Sequence, residues 1–176
     1  MALHRGTLWL MSRNRLLSAF VLSLLVACGN VTTSPAVVRE DVGLAFVPTE
    51  ALNPDVRQET IQQTICVPGY AASVRPSTNY TSGVKAKLLR DQGLPPTAAP
   101  DYELDHRIPL ALGGHPRSLK NLELQAWEGA DGAKRKDRLE RKLQQLVCAG
   151  QVLLNDARRD IYVDWTSAFP KYIPAR

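Results

Sequence analysis

The sequence feature that most constrains the fold is the segment from residue 102 to residue 114, which reads YELDHRIPLALGG. Its spaced apolar residues predict a β-strand over residues 103–112, and Pro109 is consistent with an irregular middle. The double glycine at its end predicts a tight turn. A plain β-hairpin needs neither Asp105 nor His106, so these two neighbours are the first candidates for a functional site.

The residues that follow predict the rest of a small layered unit. A weak second strand is predicted over residues 118–124, and the strongest helix of the chain over residues 133–149. The buried stripe of that helix is predicted to be Leu139, Leu143, Leu146 and Val147. Flanking elements are predicted as helices over 53–65, 80–92 and 155–168 and a short strand over 71–75. The predicted fold class is α+β, with a two-stranded antiparallel hairpin, a helix packed on it and additional flanking helices.

The N-terminus has the pattern of an export signal. Arginines precede an apolar run over residues 16–27, which is too short to cross a bilayer comfortably because about 20 residues are needed. The next letters, LVACG, resemble the lipobox of bacterial lipoproteins, in which the cysteine is lipidated. This resemblance implies a signal peptide over residues 1–27, a lipid on Cys28 and an exported protein anchored to the cell envelope. An ordinary signal peptide with an unrelated cysteine is the alternative.

Two cysteines are left once Cys28 is assigned to a lipid. Residues 28–52 are rich in Thr, Ser, Val and Pro and are predicted as a flexible tether, so the folded domain is predicted over residues 53–176. Inside that domain lie Cys66 and Cys148. An exported chain enters an oxidising compartment, which favours a disulfide between them, and two separate buried thiols are the alternative.

The segment that contains Asp105 and His106 also carries a family resemblance. The Asp-His pair, a proline, the double glycine and an Asn-Leu pair precede an amphipathic basic helix, and over residues 101–149 this order resembles the HNH family of ββα-metal endonucleases. A wider pattern over residues 54–168 resembles a group of exported bacterial HNH-like proteins, through ICVPG, YELDHRIPLALGG, NL and KDRLE. The resemblance implies a ββα-metal core that hydrolyses phosphodiester bonds of DNA or RNA with little sequence preference.

The resemblance assigns roles to three residues, and the position of Arg107 next to the histidine predicts a role for a fourth. His106 would deprotonate water, which suits a histidine because its ordinary pKa is near 6.5. Asp105 would bind a divalent ion, Mg²⁺ first with Mn²⁺ or Zn²⁺ as alternatives, that neutralises the transition state. Asn121 would brace the loop that carries the histidine, and Arg107 would bind the scissile phosphate. Neighbours on a regular strand face opposite ways, so Asp105 and His106 converge only if the strand bulges or ends there.

One position departs from the family pattern. A histidine or asparagine ligand is expected near position 134, where this chain has Lys134, which is not a usual metal ligand because it is protonated at neutral pH. Glu103, on the strand face of Asp105, and Asp131 are predicted as substitutes. One firm protein ligand plus water is a second option. Loss of catalysis with retained nucleic-acid binding is the third.

Basic charge accumulates in the half of the chain that carries the motif. The net charge is +5, and the excess lies within residues 67–176, which favours a polyanionic partner. Lys134, Arg138 and Arg141 are predicted to contact phosphates, with a solvated helix surface as the alternative. We therefore expect a monomeric, lipid-anchored nuclease. A non-catalytic envelope lipoprotein that keeps the scaffold for binding nucleic acid or another partner, and a structural lipoprotein with a coincidental motif, are the alternatives.

Overall fold

The computed structural model describes residues 46–174, and within them the chain combines helices with one pair of strands. The elements are α1 (Tyr70–Ser73), α2 (Thr78–Asp91), β1 (Tyr102–His106), β2 (Leu122–Ala126), α3 (Ala133–Cys148) and α4 (Leu154–Tyr172). Short 3-10 helices cover Thr49–Ala51, Gln58–Gln63, Pro96–Asp101 and Leu110–Leu112. This content confirms the predicted α+β class. None of the helices in the described range is long and apolar enough to cross a membrane. The predicted signal peptide and the lipidation of Cys28 lie outside that range.

The two strands form a regular antiparallel pair. Their register runs without interruption from Tyr102 opposite Ala126 to His106 opposite Leu122. β1 has no bulge and ends at His106, six residues before the predicted end at residue 112, where Leu110–Leu112 form a 3-10 helix instead. Asp105 points to the other face from its neighbour. β2 begins four residues later than predicted, because residues 118–121 form a turn that is closed by a backbone hydrogen bond.

Local signals in the sequence explain the two helices that were predicted best. Ser77 caps α2, since its hydroxyl accepts a hydrogen bond from the backbone N–H of Tyr80 at 3.5 Å. α2 ends just before Gly93, which has a φ of 70°. In α3 the predicted stripe is correct in the main: Leu139, Leu143 and Val147 are buried, and Leu146 is partly buried. Position 136 lies on the same side of this helix.

The core lies between α3, α4 and the segment that precedes α1. Val47 and Ala51 are buried in it, so the prediction that a tether extends to residue 52 is wrong for its last residues. The predicted helix over 53–65 is also wrong. Asn53 accepts a hydrogen bond from the backbone N–H of Asp55 at 3.0 Å, and side-chain hydrogen bonds of this kind compete with an α-helix. Only the 3-10 helix Gln58–Gln63 forms there.

Two further predictions were tested by the structure with opposite results. The short strand predicted over residues 71–75 is wrong: a left-handed Gly69, with a φ of 85°, leads into the single helical turn of α1. The disulfide between Cys66 and Cys148 is confirmed, with a Cα–Cα distance of 5.6 Å. It joins the segment before α1 to the last residue of α3, so it closes a large loop that contains both strands.

Candidate functional site

The loop between β1 and β2 is fixed from inside by one side chain. Asn121 is 0% exposed. Its Oδ1 accepts from the backbone N–H of Ile108 at 2.8 Å, and its Nδ2 donates to the carbonyls of Ile108 at 3.0 Å and His115 at 3.1 Å. One amide thus joins the two halves of the loop. This is a bracing geometry, and the amide lies too deep to contact a substrate.

The double glycine makes this close approach possible. A Cβ at Gly114 would lie 1.8 Å from the carbonyl oxygen of Ile108 and 2.6 Å from Nδ2 of Asn121, so no other residue fits there. The outer side of the loop is held by Arg158 of α4. Its Nε donates to the carbonyl of Leu112 at 2.8 Å, and the whole side chain is buried. Sequence reasoning missed Arg158, although it follows Leu154 at helical spacing.

The imidazole of His106 has two different nitrogens in this environment. The ring is 6% exposed, and its Nε2 lies 3.1 Å from the carbonyl oxygen of Pro116. A carbonyl only accepts, so this contact places the proton on Nε2 and leaves a lone pair on Nδ1. Within residues 46–174, Nδ1 has no hydrogen-bond partner and is not sealed from solvent. Burial lowers the pKa of His106 below its ordinary value, so the ring is neutral at pH 7.

Asp105 faces the opposite side of β1, and each of its two carboxylate oxygens accepts a hydrogen bond from protein atoms. Its Oδ1 accepts from the backbone N–H of His106 at 2.7 Å, and its Oδ2 accepts from Nζ of Lys136 at 2.8 Å. Lys136 is 1% exposed, and its Nζ also donates to Oε1 of Glu140 at 2.7 Å and to the carbonyl of His106 at 2.8 Å. We call Asp105, Lys136 and Glu140 the buried ion cluster. In the sequence, Lys136 is the first residue of the KDRLE segment, to which no separate role was assigned.

The charges of the buried ion cluster shift several pKa values. Burial lowers the pKa of Lys136, but the negative charges of Glu140 and Asp105 outweigh it, so the pKa is raised and the ammonium stays charged. Burial also raises the pKa of Glu140, against the pull of Lys136. For Glu103, burial and the neighbouring charge of Asp105 raise the pKa to about 7. Directly across the strand pair, Gln125 has a buried Oε1 with no partner among the described residues.

The predicted divalent ion does not fit the residues that the structure brings together. Among the described residues, no group of three or more His, Cys, Asp and Glu side chains is placed to hold a metal. Asp131 is exposed in the loop before α3, and its hydrogen bond uses the backbone carbonyl, which accepts from Gln125 at 3.0 Å. Asp105 is already bound to an ammonium group, whose charge repels a divalent ion.

The predicted phosphate ligand Arg107 contacts a carboxylate and an aromatic ring. Its Nε lies 3.6 Å from Oε2 of Glu123, and its guanidinium lies over the ring of Tyr162, 4.2 Å from the centroid. Burial lowers the pKa of His106 most, and the positive charges of Arg75 and Lys136 also lower it. Arg75 is exposed. No local pattern identifies it, because it lies 31 residues before His106 in the sequence.

The three predicted phosphate contacts on α3 are exposed but partnered. Lys134 forms an ion pair with Glu128. Arg141 lies 3.9 Å from the carboxylate of Asp137, the helical pair expected of a solvated surface. Arg138 lies 5.4 Å from the centroid of a phenylalanine ring in α4. These contacts are weak enough for phosphates to replace them, and they favour neither alternative.

Comparisons with known proteins found no similarity on which to base a family assignment: no protein-family model, curated protein or solved structure matches this chain.

Proposed function

We propose that the chain is a phosphodiester hydrolase of HNH type, built on a ββα core of β1, β2 and α3, that cleaves DNA or RNA with His106 as general base. The observation that carries the proposal is the contact between Nε2 of His106 and the carbonyl of Pro116 at 3.1 Å. It fixes the tautomer that leaves Nδ1 free to accept a proton, and burial keeps the ring neutral.

Four residues of this chain contribute to the reaction. Nδ1 of His106 takes a proton from water as the water oxygen attacks phosphorus. The Pro116 carbonyl stabilises the imidazolium through Nε2–H, and the imidazolium can return the proton to the leaving oxygen. Arg75, whose charge acts on the same ring, supplies a cation for the phosphate. Asn121 keeps the loop carbonyls in place without touching the substrate.

A nicking assay on supercoiled plasmid and on single-stranded RNA tests the proposal. The reactions contain Mg²⁺, Mn²⁺, Zn²⁺ or EDTA. Removal of the base, His106→Ala, is expected to lower the rate by about 10² or more. The matched control is His115→Ala, since the His115 ring accepts hydrogen bonds only from backbone N–H groups of its own turn. Cleavage that survives His106→Ala unchanged means that His106 is not the base.

In one alternative, the protein keeps the same fold but does not catalyse hydrolysis. It is favoured by two observations: the carboxylate of Asp105 is paired with Lys136, and the imidazole of His106 is only 6% exposed. A non-catalytic lipoprotein of this kind would bind nucleic acid through phosphate contacts, so its affinity would fall steeply with salt. Gel shifts in EDTA over a range of salt concentrations test it. Salt-sensitive binding without cleavage in any metal would support this alternative.

We also propose that the protein is exported and anchored to the cell envelope through a lipid on Cys28. The support is the order of basic residues, apolar run and lipobox-like letters in the first 29 residues. A Cys28→Ser variant expressed in a bacterial host tests the anchor. The variant is expected to leave the membrane fraction, and equal membrane retention of both proteins would rule out the lipid.

A further inference from the structure

The ammonium group of Lys136 makes the contacts that a bound cation would make. Each of its three N–H groups meets an oxygen at 2.7–2.8 Å: two carboxylates, of Asp105 and Glu140, and one carbonyl, of His106. Carboxylates and carbonyls are also the ligands that hard divalent cations take. An ammonium group has three N–H donors, so all the donors of Lys136 are used. The ammonium group of Lys136 therefore lies where a cation bound beside Asp105 would lie.

We propose that Lys136 permanently occupies the cation position beside Asp105, so that the folded protein binds no divalent ion there. If the protein is the proposed hydrolase, hydrolysis then needs no added divalent ion, and this expectation rests on the proposed function. Ion binding beside Asp105 is independent of that function, because it can be titrated without any substrate.

The packing of α3 holds the Lys136 side chain in this position. It is 1% exposed and precedes the buried Leu139 and Leu143 by three and seven residues, on the same side of the helix. A divalent ion bound to Asp105 would have to lie close to the ammonium, and repulsion between these charges is strong where water is excluded. Displacing Lys136 instead would leave a lysine without partners in the core.

The start of α3 supports the same conclusion independently. A histidine or asparagine is expected there as a second metal ligand. The chain has Lys134 at this position, and its ammonium group pairs with Glu128. Asp131, the predicted substitute in the preceding loop, is exposed. Among the described residues, neither position completes a group of three or more side chains that could hold a metal ion.

Mn²⁺ binding to the purified protein is the direct test, measured by the electron paramagnetic resonance of free Mn²⁺ and by titration calorimetry. The control is Asp105→Asn, which removes the carboxylate charge. We expect both proteins to bind Mn²⁺ equally weakly. One tight site in the original protein that Asp105→Asn abolishes would overturn the proposal, and this comparison needs no change at Lys136.

A second measurement asks whether removal of the ammonium opens a metal site. Lys136→Ala frees the carboxylates of Asp105 and Glu140, and we expect one Mn²⁺ site that is about tenfold or more tighter than in the original protein. The matched control is Lys134→Ala, which removes an exposed lysine of the same helix and should change nothing. A folded Lys136→Ala protein without the new site would overturn the proposal. If this variant does not fold, the comparison with Asp105→Asn decides alone.

Nicking in EDTA separates this proposal from the proposed function. Cleavage that depends on His106 and persists in EDTA supports both. Cleavage that EDTA abolishes, together with a Mn²⁺ site at Asp105, overturns the occupancy by Lys136 and leaves the hydrolase intact. Absence of cleavage under all conditions, with no Mn²⁺ site, overturns the hydrolase and leaves the occupancy intact.

Discussion

Replacement of Lys136 by methionine should destabilise the fold far more than any other lysine substitution in α3. Methionine has a similar length and volume, so the change removes the charge while it leaves the packing nearly intact. The carboxylates of Asp105 and Glu140 would then share a site with no cation. Three hydrogen bonds of 2.7–2.8 Å would be lost at the same time.

The size of the effect follows from the burial of the cluster. Breaking a buried ion pair by removing one partner costs about 3–5 kcal/mol, and Lys136 is 1% exposed. For a folded unit of this size, each kcal/mol lowers the Tm by roughly 3–4 °C, so we expect a loss of about 10–20 °C. Urea denaturation at pH 7 measures the free energy of unfolding directly.

The pH dependence tests the cause of this loss. Burial raises the pKa of Glu140. Without Lys136 this carboxyl stays protonated to higher pH than in the unfolded chain, so stability falls as pH rises through its folded pKa value. The difference between the variant and the original protein should therefore shrink as the pH is lowered and Glu140 becomes neutral. Adding Asp105→Asn and Glu140→Gln to Lys136→Met should recover much of the stability at pH 7, because no uncompensated charge is left.

The matched control is Lys134→Met. Lys134 is largely exposed and pairs with one exposed glutamate, so its loss should change the free energy of unfolding by less than about 1 kcal/mol. Equal effects of the two substitutions, or a loss at Lys136 that does not depend on pH, would refute the reasoning from the buried ion cluster.

Four further outcomes can be checked. Asn121→Ala should lower the free energy of unfolding by about 2–4 kcal/mol, because it leaves buried backbone groups unpaired; a loss under 1 kcal/mol in urea denaturation would contradict the bracing role. Replacing Cys66 and Cys148 by serine should cost about 4 kcal/mol, and a reductant should then affect only the original protein. Glu103 has a pKa raised to about 7 from 4.5, so its contribution is present below pH 4.5 and is lost as pH rises through 7. Allowing for its partial exposure, Glu103→Gln should remove a pH-dependent loss of about 1–3 kcal/mol between pH 4.5 and 8. Since burial lowers the pKa of His106, the pH profile of kcat/KM should lie at its plateau at pH 7 and fall only on the acid side of the ordinary histidine value; an apparent pKa above that value would argue against His106 as the base.

The elements that could be predicted from the sequence are those set by local interactions. α2 follows from an apolar face and a terminal glycine, and α3 follows from leucines at helical spacing. The start of the first strand and the turn after it follow from a short apolar run with a double glycine. The predicted end of that strand at residue 112 was wrong, because the strand stops at His106 and a 3-10 helix follows Pro109. The strand predicted over 71–75 failed because one left-handed glycine before it sets the direction of the chain, and its apolar residues alone do not distinguish a strand from a helical turn.

Of the candidate site, only the residues that lie close together in the sequence could be predicted. Asp105, His106 and Asn121 lie within one short motif. The partners that decide their chemistry do not: Lys136 is 31 residues beyond Asp105, and nothing local shows that the two meet. A signal did exist, since position 136 continues the apolar stripe of α3 toward its N-terminus. A charged residue on such a stripe has to find an opposite charge in the core.

The steric fit at Gly114 has a consequence for recognising related chains. Because a Cβ at this position would overlap the Ile108 carbonyl at 1.8 Å, any homologue with the same loop has to keep a glycine there, whatever its chemistry. The amide of Asn121 is tied to the same carbonyl. A glycine and an asparagine seven positions apart therefore form a fingerprint of the architecture that would persist in family members whose histidine or aspartate has been lost.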